Sequence, residues 1–194
     1  MKIIEVKNLH KTFTEGEVEV KAVRGIDLSF EEGEFTAVVG PSGSGKTTFL
    51  NMVGGLDDPS EGRVIVDGTE VNKLSGAGKT DFRLHNIGFV FQAYNLIPVL
   101  TAKENTEFVM HLQGRPKKER ISRAMQLLKA VGLGDRADSR PGKLSGGQQQ
   151  RVAVARALAA KPKFILADEP TANLDSKSTA NLLDIMETLN REEN

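Results

Sequence analysis

The chain has 194 residues, 39% apolar and 27% charged, the composition of one globular domain able to bury a core rather than of a disordered segment. Its 26 basic and 26 acidic residues cancel, so bulk charge gives no attraction to nucleic acid or to an anionic membrane surface. There is no cysteine, which excludes disulfides and thiolate zinc sites and accords with a cytosolic setting. The opening "MKIIEVKNLHKTF" lacks the apolar run of a signal peptide, and no stretch reaches the roughly 20 apolar residues of a membrane span. Any membrane role is therefore expected to run through a partner.

The predicted elements alternate between strand and helix. "KIIEVKNLHKTF" and "VKAVRGIDLSFEEGE" show mixed alternation around a Gly-bearing turn and predict antiparallel strands. Phe13, at the end of the first, is either a core residue or a face on which a base could stack. "FTAVV" (Phe35–Val39) is a short apolar run of the kind that forms a fully buried parallel strand. The stretch that follows, "GPSGSGKTT", fits G-x-x-x-x-G-K-[ST] through Gly40, Gly45, Lys46 and Thr47. The small residues Pro41, Ser42, Gly43 and Ser44 let the backbone wrap until its N–H groups point inward at phosphates. Lys46 adds a point charge for the outer phosphates, the Thr47 hydroxyl completes a magnesium shell, and Thr48 closes the nucleotide-binding stretch. A dinucleotide-binding turn is excluded, because Thr48 stands where that pattern needs a third small residue. This is a nucleoside-triphosphate loop.

Beyond it, "KTTFLNMVGGL" predicts a helix ended by its double glycine, and "RVIVDGTEV" a hairpin turning at Asp67-Gly68. "NKLS" at Asn72 lacks the aspartate of the guanine-reading N-K-x-D, so nothing favours GTP. "IGFVF" (Ile87–Phe91) predicts a buried strand that delivers Gln92. "AYNLIPVLTA" is unusually apolar for a loop; Tyr94, Leu96, Ile97, Val99 and Leu100 either dock a partner helix or pack inward. "TAKENTEFVMHLQ" opens with a capping box, Thr101 and Glu104, and "PKKERISRAMQLLKAVGL" carries Ile121, Met125 and Leu128 at helical spacing. "LSGGQQQ" then runs into the helix-forming "RVAVARALAAKP", so Ser145, Gly146, Gly147 and Gln148 sit at a helix mouth. Such a mouth is a second place to hold phosphate, or simply a helix N-cap with small spacers. "FILADEP" places Asp168 and Glu169 at a strand's end, where open α/β sheets bind ligands. Asp168 would hold magnesium and Glu169 would orient and deprotonate the attacking water. The last predicted helix, "SKSTANLLDIMETLNRE", puts Leu182, Ile185, Met186 and Leu189 on one face. The fold class is α/β, with a helical insertion over about Gln92 to Leu144.

These residues resemble the ATP-binding-cassette ATPases across nearly the whole chain. "GPSGSGKTT" is similar to their Walker A loop, "FILADE" to their Walker B strand, Gln92 in "FVFQAYNL" to their Q-loop glutamine, "LSGGQ" to their signature motif and "NLDS" (Asn173–Ser176) to their D-loop. Within the family, the stretches "LNMVGGLD" and "IGFVFQAYNLIPVLTAKEN" look most like the subgroup serving lipoprotein-release and macrolide-export permeases. The resemblance implies a P-loop NTPase core with an N-terminal antiparallel β subdomain and an inserted α-helical subdomain. It implies ATP and Mg2+ as ligands, with Thr47, Gln92 and Asp168 around the metal and Glu169, Lys46, Gln92 and Ser145 as the catalytic set. It also implies a head-to-tail homodimer, in which Ser145, Gly146, Gly147 and Gln148 of one copy face the γ-phosphate held by the other copy's Lys46. Asp175 would lie at that interface beside the nucleotide. A permease would dock through the Tyr94–Leu100 region and hold the protein peripherally on the inner face of the cell membrane.

The same pattern expects a histidine past the D-loop, whereas His10, His85 and His111 all precede Asp168. The expectation is a chain lacking that switch histidine, which binds Mg-ATP but hydrolyses it slowly. A DNA-repair cassette would need a coiled coil between Lys46 and Asp168, and no sustained heptads occur there. A cassette of a cell-division or mechanotransmission complex, or a regulatory cassette with little turnover, shares every motif and stays open.

Overall fold

The computed structural model describes residues 1–16 and 18–193, which fall into two compact units, Met1–Arg83 and Leu84–Asn194. The first is built on two long strands, β1 (Lys2–Glu15) and β2 (Val18–Glu31), paired antiparallel from Lys2↔Glu31 to Glu15↔Val18. Several register shifts interrupt the pair, and bulges of this kind bend a ribbon and let it wrap. Next come α1 (Lys46–Val53), β3 (Glu61–Val66) and β4 (Thr69–Glu70), giving a four-stranded sheet in the order β2-β1-β3-β4. The β3–β4 turn is Asp67-Gly68 with φ of 44° and 74°, the positive pair a two-residue hairpin demands, as the sequence predicts. Ile4, Val6, Leu9, Val23, Phe49, Met52, Val53, Val64 and Val66 are buried and form this unit's core. α1 ends where predicted, with Gly54 as its cap and Gly55 in the left-handed region at φ 62°. A helix that the sequence analysis did not predict, α2 (Gly76–Asn86), follows; it buries none of its residues.

One expectation fails here. Phe35–Val39 forms no strand, and Phe35, Val38 and Val39 are 50%, 43% and 90% exposed. The chain leaves β2 through a turn in which Glu34 closes on itself: its N–H donates to the Glu31 carbonyl, and its carboxylate accepts from the Glu31 N–H and the Thr36 hydroxyl. An apolar run becomes a strand only where another strand meets its backbone groups, and among the described residues none pairs with this one.

The second unit pairs β5 (Ile87–Val90) in parallel with β6 (Phe164–Ala167), registered Ile87↔Phe164 through Val90↔Ala167. Between them in sequence lie α3 (Ala102–Leu112), α4 (Lys117–Ala130) and α5 (Gly146–Ala159), and after them α6 (Ser176–Glu193). The predicted capping box at α3 is complete: Thr101 accepts from the Glu104 N–H while Glu104 accepts from the Thr101 N–H. The core gathers Val90, Met110, Leu127, Leu128, Val152, Ala155 and Leu182 around α5, whose run of alanines and valines lets α3 and α4 approach closely. On α6, Leu182 and Leu189 are buried with Ile185 and Met186 packed against the core, so the predicted apolar face is the one used. No helix among the described residues is long and apolar enough to cross a membrane.

Candidate functional site

In the first unit the chain from Gly40 to Gly45 is irregular and delivers α1 at Lys46. Gly45 caps α1 at φ 89°, and a Cβ on it would stand 2.4 Å from the Ala22 carbonyl oxygen of β2. Only glycine fits there, so the loop seats directly on the strand backbone. Gly43 is also left-handed, at φ 76°, and a Cβ on Gly40 would meet the Ser44 hydroxyl at 2.8 Å. The first turn of α1 carries no acid and no side-chain cap, so its N–H groups keep their positive pole, about half an elementary charge, for an anion. The Lys46 ammonium arches over the loop and donates to the carbonyl oxygens of Gly40 and Pro41 at 2.9 and 3.0 Å. Ser42, Gly43, Ser44 and Thr47 are exposed around it. Phe13 stands on β1 opposite Val20 and is 45% exposed, so it is a surface ring and not a core residue. Asn72, by contrast, is structural: its side-chain oxygen accepts the Val64 N–H.

In the second unit the parallel β5–β6 register brings the chain ends at Gln92 and Asp168 side by side. The Asp168 N–H continues the ladder to the Val90 carbonyl at 2.9 Å. Glu169 then takes φ 45°, a left-handed conformation that costs a residue with a Cβ about 1–3 kcal/mol and that clusters at working positions. Its side chain is exposed, as is that of Gln92. Asn173 donates to the Gln92 carbonyl at 3.0 Å, tying the two segments.

Ser145 is the N-cap of α5. Its hydroxyl accepts the Gln148 N–H, and Gln148 accepts the Ser145 N–H, a second complete capping box. As an acceptor in that bond, the hydroxyl keeps its own hydrogen to donate elsewhere. No acid occupies this helix's first turn either. Gly146 is packed against Tyr94, since a Cβ there would lie 2.6 Å from the Tyr94 hydroxyl oxygen; Gly147 faces Ser178 at ordinary contact distance. Further along α5, Gln150 and Arg156 hold the Gln92 segment from below. The Gln150 amide donates to the Phe91 carbonyl, and the Arg156 guanidinium donates to the carbonyls of Tyr94 and Asn95. Burial lowers the Arg156 pKa from its ordinary value, although the group stays a cation.

The apolar loop divides between the two expected roles. Leu96 packs on the core, Tyr94 abuts Gly146, and fully buried Asn105 clamps the backbone by accepting from the Ile97 N–H and donating to the carbonyls of Ile97, Leu100 and Thr101. Val99, at 71% exposure, is the large apolar side chain left outward. Asp175 caps α6: its carboxylate accepts the N–H groups of Lys177 and Ser178 and the Ser178 hydroxyl. The Ser178 backbone bond, then its hydroxyl, holds that carboxyl below the usual aspartate value. Sequence patterns did not disclose how Arg156 and Asn173 hold the Gln92 segment, because they donate to carbonyls 61 and 81 residues away; Asn105 acts within eight residues, but no motif marks it.

The family profile described as "ABC transporter" matches residues 23–172. The chain is 45% identical to the lipoprotein-releasing system ATP-binding protein LolD of Syntrophus aciditrophicus, over 98% of this chain and 85% of that protein. It is 46% identical to the macrolide export ATP-binding/permease protein MacB of Aggregatibacter actinomycetemcomitans, over 99% of this chain and 30% of that protein. Among solved structures, the ATP-binding cassette MJ0796 as a post-hydrolysis dimer bound to ADP and Pi superposes with a TM-score of 0.89 at 45% identity, covering 98% of this chain and 84% of that one.

Proposed function

Because the chain belongs to the ABC transporter family, as an ATPase cassette of the kind found in LolD and MacB, we propose that it binds ATP between two copies of itself and energises a membrane permease. Residues 1–194 act as one cassette, with 92–144 as its helical subdomain. The observation that carries this reading is the turn before α1: Gly45 seated on the Ala22 carbonyl at φ 89°, no acid and no side-chain cap in the first helical turn, and Lys46 folded over Gly40 and Pro41. A second such helix mouth, α5 behind Ser145, suits the γ-phosphate of another copy, and the similar MJ0796 cassette was solved as a dimer bound to ADP and Pi.

In this reading the backbone of Gly40–Thr48 wraps the phosphates, and Lys46 exchanges its bonds to Gly40 and Pro41 for the outer phosphates. Phe13 offers its exposed ring to the base. Glu169, held in its left-handed turn, takes a proton from the attacking water. Ser145 donates its hydroxyl hydrogen, and Gly146 and Gly147 their N–H groups, to the γ-phosphate on the partner copy. Asp175, besides capping α6, lies at the interface. A hydroxyl, a carboxylate and an amide oxygen on Thr47, Asp168 and Gln92 are hard oxygen donors that suit Mg2+ completed by water and phosphate. When bound, the ion neutralises charge on the phosphates. Removing the γ-phosphate removes the contact to Ser145, which opens the dimer. Val99 and its flanks meet a cytoplasmic helix of the permease, which places the cassette peripherally on the inner face of the membrane.

The test is Glu169→Gln against Lys46→Ala. The first keeps ATP binding, stops turnover and accumulates a dimer by light scattering. The second weakens ATP binding by about ten- to a hundredfold, as expected for charge-assisted bonds. Normal hydrolysis by the first variant, or an unchanged ATP titration by the second, refutes the assignment.

A further inference from the structure

The loop that follows α1 is zipped onto β1. The Ser60 N–H donates to the His10 carbonyl and the Ser60 hydroxyl accepts the Thr12 N–H at 3.0 Å. Between these two attachments, Lys11 reaches across. Its ammonium donates to the Asp57 carboxylate and to the Asp58 carbonyl, both at 2.7 Å, with only 13% of the side chain exposed. Asp57 is itself fixed to α1, since its N–H and that of Leu56 both donate to the Asn51 carbonyl. The neighbouring Asp58 carboxylate is held by Lys79 at 2.7 Å. The ammonium so fixed lies 5.0 Å from the centroid of the Phe13 ring. Lys11 also pairs with Val23 on β2, next to the Ala22 carbonyl on which Gly45 sits. Phe13 is two residues further along β1, about 7 Å.

We propose that Lys11 is a positioning residue for the nucleotide base: it fixes and polarises the Phe13 ring and ties that ring to the helix that carries the phosphate loop. The inference rests on the reading of Phe13 as the base platform. An aromatic face carries negative potential, and so does the face of a purine, so direct face-to-face stacking is opposed electrostatically. A cation on one face draws the π density toward itself and makes the other face a better platform. The tether matters as much as the charge. A free lysine would follow solvent, whereas one locked between Asp57 and Asp58 holds the ring at a set distance from α1. The base subsite and the phosphate subsite then move as one body.

The test is a double-mutant cycle on positions 11 and 13, titrating the chain with ATP and, separately, with inorganic triphosphate. Phe13→Ala is expected to weaken ATP by about 5- to 100-fold and to leave triphosphate unchanged. Lys11→Met is expected to weaken ATP by about 2- to 5-fold, again without effect on triphosphate. In the Phe13→Ala background, Lys11→Met should add nothing. Lys11→Arg, which keeps a cation over the ring, should bind ATP like the parent. Asp57→Asn, which keeps the lysine but loosens its tether, should weaken ATP alone and serves if Lys11→Met folds poorly. If Phe13→Ala leaves ATP binding intact, the base platform itself is misassigned and the inference goes with it. If Phe13→Ala weakens ATP while Lys11→Met does not, or weakens both ligands alike, or adds in full to Phe13→Ala, the inference alone is overturned.

Discussion

Gly146→Ala tests the contact between the mouth of α5 and the segment after Gln92. A Cβ built on Gly146 falls 2.6 Å from the Tyr94 hydroxyl oxygen, well inside contact distance, with the ring carbon behind it at 3.5 Å. Alanine in a helix gains at most about 0.5–1 kcal/mol over glycine. Overpacking a fitted contact costs about 1–3 kcal/mol, so a net loss of about 0.5–2 kcal/mol is expected. The Tyr94 hydroxyl makes no hydrogen bond among the described residues, so Tyr94→Phe removes the obstacle without orphaning a partner. In that background the nearest atom becomes the ring carbon at ordinary distance, and the alanine turns neutral or slightly stabilising. The coupling energy is therefore about 1–3 kcal/mol, read as midpoint differences in urea unfolding of the four proteins. Because stability is measured without nucleotide, any effect on hydrolysis does not enter. If Gly146→Ala costs the same in both backgrounds to within about 0.3 kcal/mol, Tyr94 does not bear on α5 and the contact is wrong.

Gly45→Ala drives a Cβ to 2.4 Å from the Ala22 carbonyl at a left-handed φ of 89°. It should lower ATP affinity by at least about tenfold in a titration, and parent-like binding would show that the loop does not seat on β2. Asn105→Ala strips the bond that its amide oxygen accepts from the Ile97 N–H and the two that its amide hydrogens share among the Ile97, Leu100 and Thr101 carbonyls. A loss of about 2–4 kcal/mol in urea unfolding is expected, with early protease cleavage in that loop; intact protection would argue against the clamp. Asp175 has a folded pKa below its unfolded one, so its cap supports the fold fully above the ordinary aspartate value and fails as pH falls through the depressed one. Asp175→Asn, a cap without the titration, should flatten the acid limb of a stability-against-pH curve. An unchanged limb would place the acid sensitivity elsewhere.

Local chemistry explains which elements were legible in advance. The Asp67-Gly68 hairpin, the Thr101–Glu104 box and the end of α1 at Gly54 each depend on residues within one turn of one another, so sequence alone discloses them. Phe35–Val39 shows the opposite case: hydrophobicity is local, but a strand needs a partner, and the exposed run has the first without the second. α2 is harder to read for a different reason: it is short and polar on average, buries none of its residues, and offers Ala77, Phe82 and Leu84 as its few apolar cues. At the site, the glycines and Lys46 were legible because triphosphate chemistry fixes their spacing. Lys11 and Arg156 were not, because each meets its partner 46 or 61 residues away.

The segment after β5 is gripped through its own carbonyls and a packed ring. Phe91 accepts from Gln150, Gln92 from Asn173, and Tyr94 and Asn95 from Arg156, while the Tyr94 ring tip rests on Gly146. Four of these contacts belong to α5, whose N-cap is Ser145, and one belongs to the turn after Glu169. A push on this segment therefore strains several part-buried or exposed hydrogen bonds, at about 0.5–1.5 kcal/mol each, and every strained bond pulls on α5 or on Asn173. A displacement of the backbone at residues 91–95 is thus felt at α5 through Gln150, Arg156 and Gly146, and at the turn after Glu169 through Asn173.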